Sequence, residues 1–286
     1  MTDILLNNGI LMPMVGLGTF PMKGNELNSV FLKAISLGYR SFDTAWLYKN
    51  EIEIGEAIQQ ASVLRSNIWL TSKVHIDDCY YFYHPRYHIQ LRKKSVRKAY
   101  EESLRRLNTD YLDLYLIHGA WMPACFSFWK EMEELYHEGR IRAIGVSNFG
   151  INELQQLINS SSVIPAVNQI EISPYNTNKK IIAFCENHKI RVEAYSPFCR
   201  GLLTKQLLSE PIILEIAARK ERSSAQIVLR WLIQQNIVVI PRSNKSEKLR
   251  ENIHIFDFEL SLEDMEKIDS LNRNIHTTGN QIRIYT

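Results

Sequence analysis

The sequence predicts an α/β fold in which a parallel β-sheet closes into a barrel. Short apolar runs rich in β-branched residues recur along the chain, and amphipathic stretches with helical spacing separate them. Runs that are apolar throughout are typical of parallel strands buried on both faces. Strands and helices alternate over all 286 residues without a Pro/Gly/Ser-rich linker. This favours one (β/α)8 barrel domain, residues 1–286, over an open doubly wound sheet.

The predicted strands are Val15–Gly18, Arg40–Asp43, Ile68–Lys73, Leu112–His118, Ile141–Val146, Ala166–Glu171, Arg191–Ser196 and Val238–Pro241. Hydrophobic residues at helical spacing predict helices over Asn28–Leu37, Glu51–Gln59, Ser95–Leu107, Ser127–His137, Ile151–Asn159, Lys179–Asn187, Ser223–Gln235 and Ser246–Asn252. An additional C-terminal helix is predicted over Leu262–Leu271. Ahead of the barrel, Ile4–Leu6 and Ile10–Met12 flank Asn7-Asn8-Gly9, a β-hairpin pattern that we expect to cover the barrel floor.

The composition narrows the class of partners. A net charge of +3 is too small to predict nucleic-acid or membrane partners, and no apolar stretch approaches the ~20 residues of a membrane span. The N-terminus lacks the pattern of a signal peptide, so we expect a cytoplasmic monomer that acts on a small molecule. Free thiols fit that compartment better than disulfides, because no CxxC pair occurs among Cys79, Cys125, Cys185 and Cys199.

The segment His75–Gln90 is rich in His and Tyr and has no clean periodicity. The spacing of its possible metal ligands matches no known metal-binding pattern, so we predict no metal site. These residues are His75, Asp77, Asp78, Cys79, His84 and His88. Since the segment follows the third barrel strand, we expect a loop that borders a substrate pocket. The basic run after it is interpreted as a solvated helix face.

Four polar residues lie at or just after the ends of predicted strands: Asp43, Tyr48, Lys73 and His118. Reduction of a carbonyl requires an acid within hydrogen-bond reach. The phenol of Tyr48 has a reference pKa of about 10, which a nearby lysine cation lowers. Asp43 would hold Lys73 charged, and His118 would bind and orient the carbonyl oxygen. From the residue types alone, a packed surface tyrosine at position 48 stays open and is favoured over a catalytic one.

Seven motifs in order resemble the aldo-keto reductases over nearly the whole chain. They are MPMVGLGTF, GYRSFDTAWLYKNEIEIG, YLDLYLIH, GRIRAIGVSNF, PAVNQIEISPY, EAYSPF and VIPRSNKSEKLREN. The chain is similar to the small bacterial-type members, such as diketogluconate reductase and aldehyde reductase-like proteins. The resemblance implies a TIM barrel and makes Asp43, Tyr48, Lys73 and His118 the catalytic tetrad.

The resemblance also implies NADPH or NADP as the cofactor, bound in an extended form across the barrel rim. Ser147, Asn148 and Gln169 would hold the nicotinamide carboxamide, and Tyr195 would stack on the nicotinamide ring. The remaining residues assigned to the cofactor by resemblance are Gly18 and Thr19 in the opening motif, Ser196 and Leu202 along the pyrophosphate, Arg242, Ser243, Asn244 and Lys248 around the 2′-phosphate, and Glu251 and Asn252 at the adenine.

Two features of the residues bear on that cofactor site. Gly16-Leu17-Gly18 lacks the third glycine of a dinucleotide fingerprint, which excludes a Rossmann site. Arg242 and Lys248 flank a helix start at Ser246, where free N–H groups and the helix dipole favour an anion. We therefore predict a preference for NADP over NAD. Without the resemblance, an ordinary basic turn would explain the segment as well.

The chain departs from the family pattern near the expected substrate. Gly119 and Ala120 follow His118 where Trp-Pro is common, Trp121 comes next, and Phe20 replaces a frequent tryptophan. We therefore predict a mostly apolar pocket lined by Phe20, Trp46, Gly119, Trp121 and parts of His75–Gln90. The short tail after Leu271 is expected to give this pocket little cover.

The predicted function is NADPH-dependent reduction of aldehydes or ketones to alcohols by hydride transfer, with Tyr48 as the proton donor. The alternative is a cofactor-sensing regulatory subunit that uses the same barrel to bind a partner protein. The intact set of four catalytic residues argues against the alternative, since a pure sensor has no need of them.

Overall fold

A parallel barrel forms the centre of the protein, which a computed structural model describes over residues 2–81 and 92–277. Eight parallel strands follow one another around the sheet in these ranges, in the order of the sequence. The barrel strands are β3 (Leu17–Gly18), β4 (Ser41–Asp43), β5 (Trp69–Val74), β8 (Leu112–Ile117), β9 (Ile141–Ser147), β10 (Val167–Glu171), β11 (Arg191–Tyr195) and β12 (Val238–Val239). The hairpin strands are β1 (Asp3–Leu5) and β2 (Leu11–Pro13), and a short pair, β6 (Tyr80–Tyr81) and β7 (Arg92–Lys93), borders residues 82–91.

The first and last strands of the sheet meet and close the barrel. Val15 forms a parallel bridge with Val239, and the Gly16 amide donates to the Val239 carbonyl at 2.8 Å. A Cβ at Gly18 would lie 2.8 Å from the carbonyl oxygen of Ile240, so the close approach of the two strands requires glycine there. The prediction of a closed barrel is confirmed, and the open doubly wound sheet is excluded.

The helices match the predicted pattern where strand–helix alternation is regular, as at Val96–Leu107, which begins after the capping side chain of Ser95. The structure adds three helices that were not predicted: Ile76–Cys79, Leu202–Leu208 and Pro211–Lys220. The helices are α1 (Gly24–Ser36), α2 (Glu51–Gln60), α3 (Ile76–Cys79), α4 (Val96–Leu107), α5 (Ala124–His137), α6 (Ile151–Ser160), α7 (Lys179–Asn187), α8 (Leu202–Leu208), α9 (Pro211–Lys220), α10 (Ser224–Ile233), α11 (Ser246–Ile253) and α12 (Leu262–Asp269).

The N-terminal hairpin covers the floor of the barrel, as predicted. The Asn7 side chain donates to the Pro165 carbonyl at 3.0 Å, and the Asn8 side chain donates to the Arg142 carbonyl at 2.9 Å. Both carbonyls lie near the amino ends of barrel strands. The opposite end, where the carboxyl ends of the strands meet, is therefore left open for a site.

Candidate active site

Lys73 lies at the centre of a buried polar cluster. It belongs to β5, and its Nζ donates to the two carboxylate oxygens of Asp43 at 2.6 and 2.7 Å and to the carbonyl of Thr44 at 2.9 Å. The Oη of Tyr48, in a 3₁₀ turn after β4, lies 3.4 Å from the same nitrogen. Three of the four residues that the sequence placed at strand ends are thus in direct contact.

The pKa values of this cluster follow from burial and from charge. Burial lowers the pKa of Lys73, but Asp43, with smaller contributions from Tyr48 and Glu193, raises it by more, so the net shift is upward and the amine stays cationic. Burial raises the pKa of Tyr48, and the Lys73 cation opposes this without cancelling it. Lysine acts in the expected direction, but the expectation of a net lowering was wrong because desolvation is larger. Tyr48 is therefore a protonated phenol at neutral pH.

His118 completes the group at the end of β8. Its ring meets the Tyr48 ring edge-on, with centroids 5.6 Å apart and planes at 77°. Burial, and then the Lys73 cation, hold the pKa of His118 well below its usual value, so the imidazole is neutral and has one N–H to donate. Nδ1 is buried and has no hydrogen-bond partner among residues 2–81 and 92–277.

A cavity of about 660 Å³ opens over these groups at the carboxyl ends of the strands. Asp43, Tyr48 and His118 line it, while Lys73 lies beneath. Its lining also includes many of the residues predicted to bind cofactor or substrate: Gly18, Thr19, Phe20, Ser147, Asn148, Gln169, Tyr195, Ser196 and Arg242.

The lining contains further residues that sequence reasoning missed, namely Pro21, Leu47, Pro197, Phe198, Cys199, Arg200, Gly201, Thr204, Ile240 and Thr277. Six of the ten lie at the end of the EAYSPF motif or in the segment after it, so their nearness in the chain to Ser196 was an available signal.

The residues predicted to hold the nicotinamide form one hydrogen-bond network. The Ser147 hydroxyl donates to the Gln169 carbonyl at 3.0 Å, the Asn148 amide donates to Ser147 Oγ at 3.1 Å, and the Tyr195 hydroxyl donates to Asn148 Oδ1 at 2.7 Å. Asn148 and Ser196 adopt left-handed backbone conformations, with φ of 62° and 50°. Such conformations are uncommon outside glycine and cluster at functional sites.

Glu193 is a buried carboxyl group beneath this network that the sequence did not reveal. The Gln169 amide nitrogen donates to Asp43 Oδ2 at 2.8 Å and to Glu193 Oε2 at 2.6 Å, so one amide bridges two acidic side chains. Burial, and then the negative charge of Asp43, raise the pKa of Glu193 to about 8. Ionisation of both carboxyl groups would place two negative charges close together, which costs free energy. The proton therefore stays on Glu193 at neutral pH.

The residues predicted for the 2′-phosphate and adenine lie at the start of α11 and along it. Arg242 is exposed and lines the cavity, whereas the Lys248 ammonium is paired with the Glu251 carboxylate at 2.9 Å. The Asn244 amide donates to Glu26 at 2.8 Å. Of the residues predicted for this end of the cofactor, only Arg242 lines the cavity. The others lie outside its lining: Leu202, which is 91% exposed, Ser243, Asn244, Lys248, Glu251 and Asn252.

The predicted pocket residues Trp46, Gly119 and Trp121 lie beside the cavity and not in its lining. The ring centroids of the two tryptophans are 6.1 and 4.5 Å from that of His75, which in turn contacts His118 at 5.8 Å. Residues 82–91 lie outside the described part of the chain, so the pocket role of His75–Gln90 stays a prediction.

The C-terminal tail reaches the cavity at Thr277. Residues 278–286 lie outside the described part of the chain, so the expectation that the tail gives the pocket little cover stays a prediction. The Thr277 amide donates to the Glu171 carboxylate at 2.8 Å, and the amides of Arg273 and Ile275 both donate to the Tyr175 carbonyl at 3.0 Å. These bonds fix the tail over the end of β10, and Thr277 itself lines the cavity.

Two other observations apply to residues 2–81 and 92–277. No cluster of three or more His, Cys, Asp or Glu side chains there could hold a metal ion. No helix in the same ranges has the length and apolar character needed to cross a membrane.

Comparison with known proteins gives the class of this chain. It belongs to the aldo/keto reductase family, whose model matches residues 14–273. It is therefore an oxidoreductase, and the family membership supports carbonyl reduction.

Individual relatives agree with this class. The chain is 42% identical to the glyoxal reductase of Bacillus subtilis over 272 residues, which cover 95% of this chain and 93% of that one. It is 38% identical to the methylglyoxal reductase DkgA of Escherichia coli O157:H7 over 275 residues, 95% and 94% of the two chains. Among solved structures, the aldo-keto reductase MGS-M4 from a Medee basin deep-sea metagenome library superposes with a TM-score of 0.88 at 35% identity, over 99% of both chains.

Proposed function

We propose that this protein reduces aldehydes or ketones to alcohols with NADPH, and that Tyr48 supplies the proton. The observation that carries the proposal is the position of Lys73 Nζ, which bonds Asp43 and lies 3.4 Å from the Tyr48 hydroxyl at the base of the cavity. A cation there stabilises the phenolate that remains once the proton has left. Before the reaction, burial raises the pKa of Tyr48 and so keeps the proton on its hydroxyl.

The other two residues of the cluster orient the carbonyl oxygen and hold Lys73 in place. The neutral imidazole of His118 donates its N–H to the carbonyl oxygen and orients it toward Tyr48. Asp43 holds Lys73 in place and charged, so the phenolate is stabilised without movement of the lysine. As negative charge develops on the carbonyl oxygen, the Tyr48 proton transfers to it and an alcohol results.

The residues of the cavity suit a nicotinamide cofactor, which supplies the hydride when bound. Ser147, Asn148 and Gln169 place amide and hydroxyl groups together, as a carboxamide requires, and Tyr195 offers a flat ring. Arg242 is an exposed cation near the start of α11 and makes no ion pair within the described ranges. A cation beside a helix N-terminus favours a phosphate ester over a free ribose hydroxyl, which supports NADPH over NADH.

The names of the relatives indicate where to look for substrates. Small dicarbonyl compounds such as glyoxal and methylglyoxal are the first candidates, since both compared enzymes are named for them.

The test is oxidation of NADPH, with NADH in parallel, in the presence of glyoxal or methylglyoxal. Tyr48→Phe should lower kcat by at least about 100-fold, because loss of a general acid removes a factor of this order, and should leave NADPH binding nearly unchanged. Tyr136→Phe, in α5 outside the cavity, is the matched control. Near-normal turnover by Tyr48→Phe would refute the acid assignment. Tight NADPH binding without turnover in the wild type would favour the cofactor-sensing alternative.

A further inference from the structure

His75 is a second imidazole at the rim of the barrel that the proposed proton chemistry does not use. It follows Val74, the last residue of β5, and Val74 pairs with Ile117, the last residue of β8. One step further along both strands, His75 therefore lies beside His118. The His118 amide donates to the Val74 carbonyl at 2.9 Å, and the centroids of the two imidazole rings are 5.8 Å apart.

The periodicity of the strand places the His75 side chain on the same face as that of Lys73. Side chains alternate between the two faces of a strand, so two residues that are two positions apart share a face. Lys73 lies beneath the cavity, bonded to Asp43. His75 is thus one layer nearer to the open end of the barrel, at the level of His118, which lines the cavity. Its side chain is 15% exposed, so part of the ring is open to a ligand.

The hydrogen bonding of this ring leaves its N–H on Nε2. The backbone amide of Asp77 donates to Nδ1 of His75 at 3.1 Å, so Nδ1 is an acceptor. Burial lowers the pKa of His75, and the Asp77 carboxylate, 3.4 Å from Nδ1, offsets this only in part, so the imidazole is neutral at neutral pH. Among residues 2–81 and 92–277 Nε2 has no hydrogen-bond partner. The proton on Nε2 is therefore available to a ligand.

Two tryptophan rings hold the imidazole of His75 in place. The Trp46 ring lies nearly parallel to it, with centroids 6.1 Å apart and planes at 16°, and the Trp121 ring meets it edge-on, at 4.5 Å and 73°. A hydrogen bond made beside apolar rings is stronger than one made in water, because fewer water molecules compete for the donor. A ring that is already held by its neighbours also loses little side-chain freedom when it binds a ligand.

We propose that Nε2 of His75 donates to a second oxygen of the substrate, on the carbon next to the reacting carbonyl. The inference rests on the proposed function for the position of the first oxygen, which His118 and Tyr48 bind. With about 3 Å for each hydrogen bond, donors on two rings 5.8 Å apart can hold two oxygens on neighbouring carbon atoms of one molecule. The substrates selected are therefore α-dicarbonyl compounds and α-hydroxyaldehydes, in preference to simple aldehydes of the same size. His75 determines specificity, and the proton still comes from Tyr48.

The experiment compares methylglyoxal with propanal, which has the same carbon chain but lacks the second oxygen. For each compound, kcat/KM with NADPH is measured in wild type and in His75→Phe, which keeps a flat ring and removes the N–H. His75→Gln returns an N–H close to the position of Nε2 and should recover part of the loss. His188→Phe is the matched control, because His188 is another half-buried histidine stacked on an aromatic ring, that of Phe184, outside the cavity lining.

The quantity that decides is the ratio of kcat/KM for methylglyoxal to that for propanal. In His75→Phe this ratio should fall about 3- to 10-fold, as expected for the loss of one hydrogen bond to a neutral oxygen, and in His188→Phe it should hold. A role of His75 limited to packing would lower both kcat/KM values alike and keep the ratio. A fall of less than about threefold would therefore overturn the proposal.

A second measurement needs no turnover. Methylglyoxal and propanal are titrated into protein loaded with NADP⁺, where no reduction occurs, and binding is followed by tryptophan fluorescence, to which Trp46 and Trp121 contribute beside His75. Weaker binding of methylglyoxal alone in His75→Phe would support the proposal even if wild type reduced neither compound. Equal binding of methylglyoxal to both proteins would overturn it. Absence of turnover in wild type would count against the proposed function only.

Discussion

Glu193 offers a test of the electrostatics beneath the active site. Its side chain is buried in β11, and Gln169 donates to Oε2 at 2.6 Å while Oε1 has no partner within the described ranges. Replacement of Glu193 by Gln keeps the volume and an oxygen that can accept the Gln169 bond. It removes only the ability to ionise.

The size of the effect follows from the pKa of Glu193. The pKa is 4.5 in the absence of the fold and about 8 in the folded protein, so the native state keeps a proton that the unfolded state releases. Because the folded pKa is raised, stability is full below pH 4.5 and declines as pH rises toward 8. At pH 7, which lies about 2.5 pH units above the pKa of the unfolded state, the free energy of unfolding is lowered by about 3 kcal/mol. Glu193→Gln escapes this loss and should be more stable than wild type near neutral pH.

The assay is urea unfolding of wild type and Glu193→Gln at several pH values between 4.5 and 8.5. The difference in unfolding free energy should grow with pH by about 3 kcal/mol between pH 4.5 and 7 and level off above pH 8. Other titrating groups are common to both proteins and cancel in the difference. Glu186→Gln, on the exposed surface of α7, should give a difference independent of pH. A flat difference for Glu193→Gln as well would refute the raised pKa.

Three further changes test other parts of the structure. Lys73→Met removes the cationic partner of the buried Asp43 carboxylate and should cost about 3–5 kcal/mol in urea unfolding; a loss below about 1 kcal/mol would show that the Gln169 amide is a sufficient partner for Asp43. Gly55→Ala places a Cβ 2.6 Å from the Arg106 carbonyl, so it should lower stability by about 1–3 kcal/mol, and an unchanged melting temperature would contradict the packing of α2 on α4. Arg242→Gln should raise the KM for NADPH about 10-fold or more and leave that for NADH unchanged, whereas equal increases would refute the 2′-phosphate assignment.

Barrel strands such as Leu112–Ile117 could be predicted because a strand buried on both faces is a short run dominated by apolar residues. Leu112–Ile117 differs from its predicted range only at its last residue, and Val167–Glu171 only at its first. The helices α8 and α9 were missed because they interrupt the regular alternation between β11 and α10. A pattern search that expects one helix after each strand interprets such a segment as a loop.

The contents of the cavity were only partly predictable, for a different reason. Tyr48 and Lys73 were found because they adjoin strand ends, and strand ends of a parallel barrel must converge. Thr277 was missed because its position depends on a hydrogen bond to Glu171, more than a hundred residues earlier. Glu193 was missed because it is buried on the inner face of the barrel. The sequence of a strand as short as Arg191–Tyr195 does not show which of its side chains lie on that face.

The arrangement of charge separates two tasks within one cavity. At its base the Lys73 cation and the Asp43 anion cancel, and Glu193 adds no charge while its proton is retained. In the proposed reaction, a floor of the cavity without net charge would let Tyr48 keep its proton until the carbonyl oxygen gains negative charge. The net positive charge lies on the rim, at Arg200 and Arg242, where an anionic cofactor would be held. If Glu193 ionised, a second negative charge beneath Lys73 would oppose formation of the Tyr48 phenolate. The proposed proton transfer therefore requires that Glu193 stay protonated.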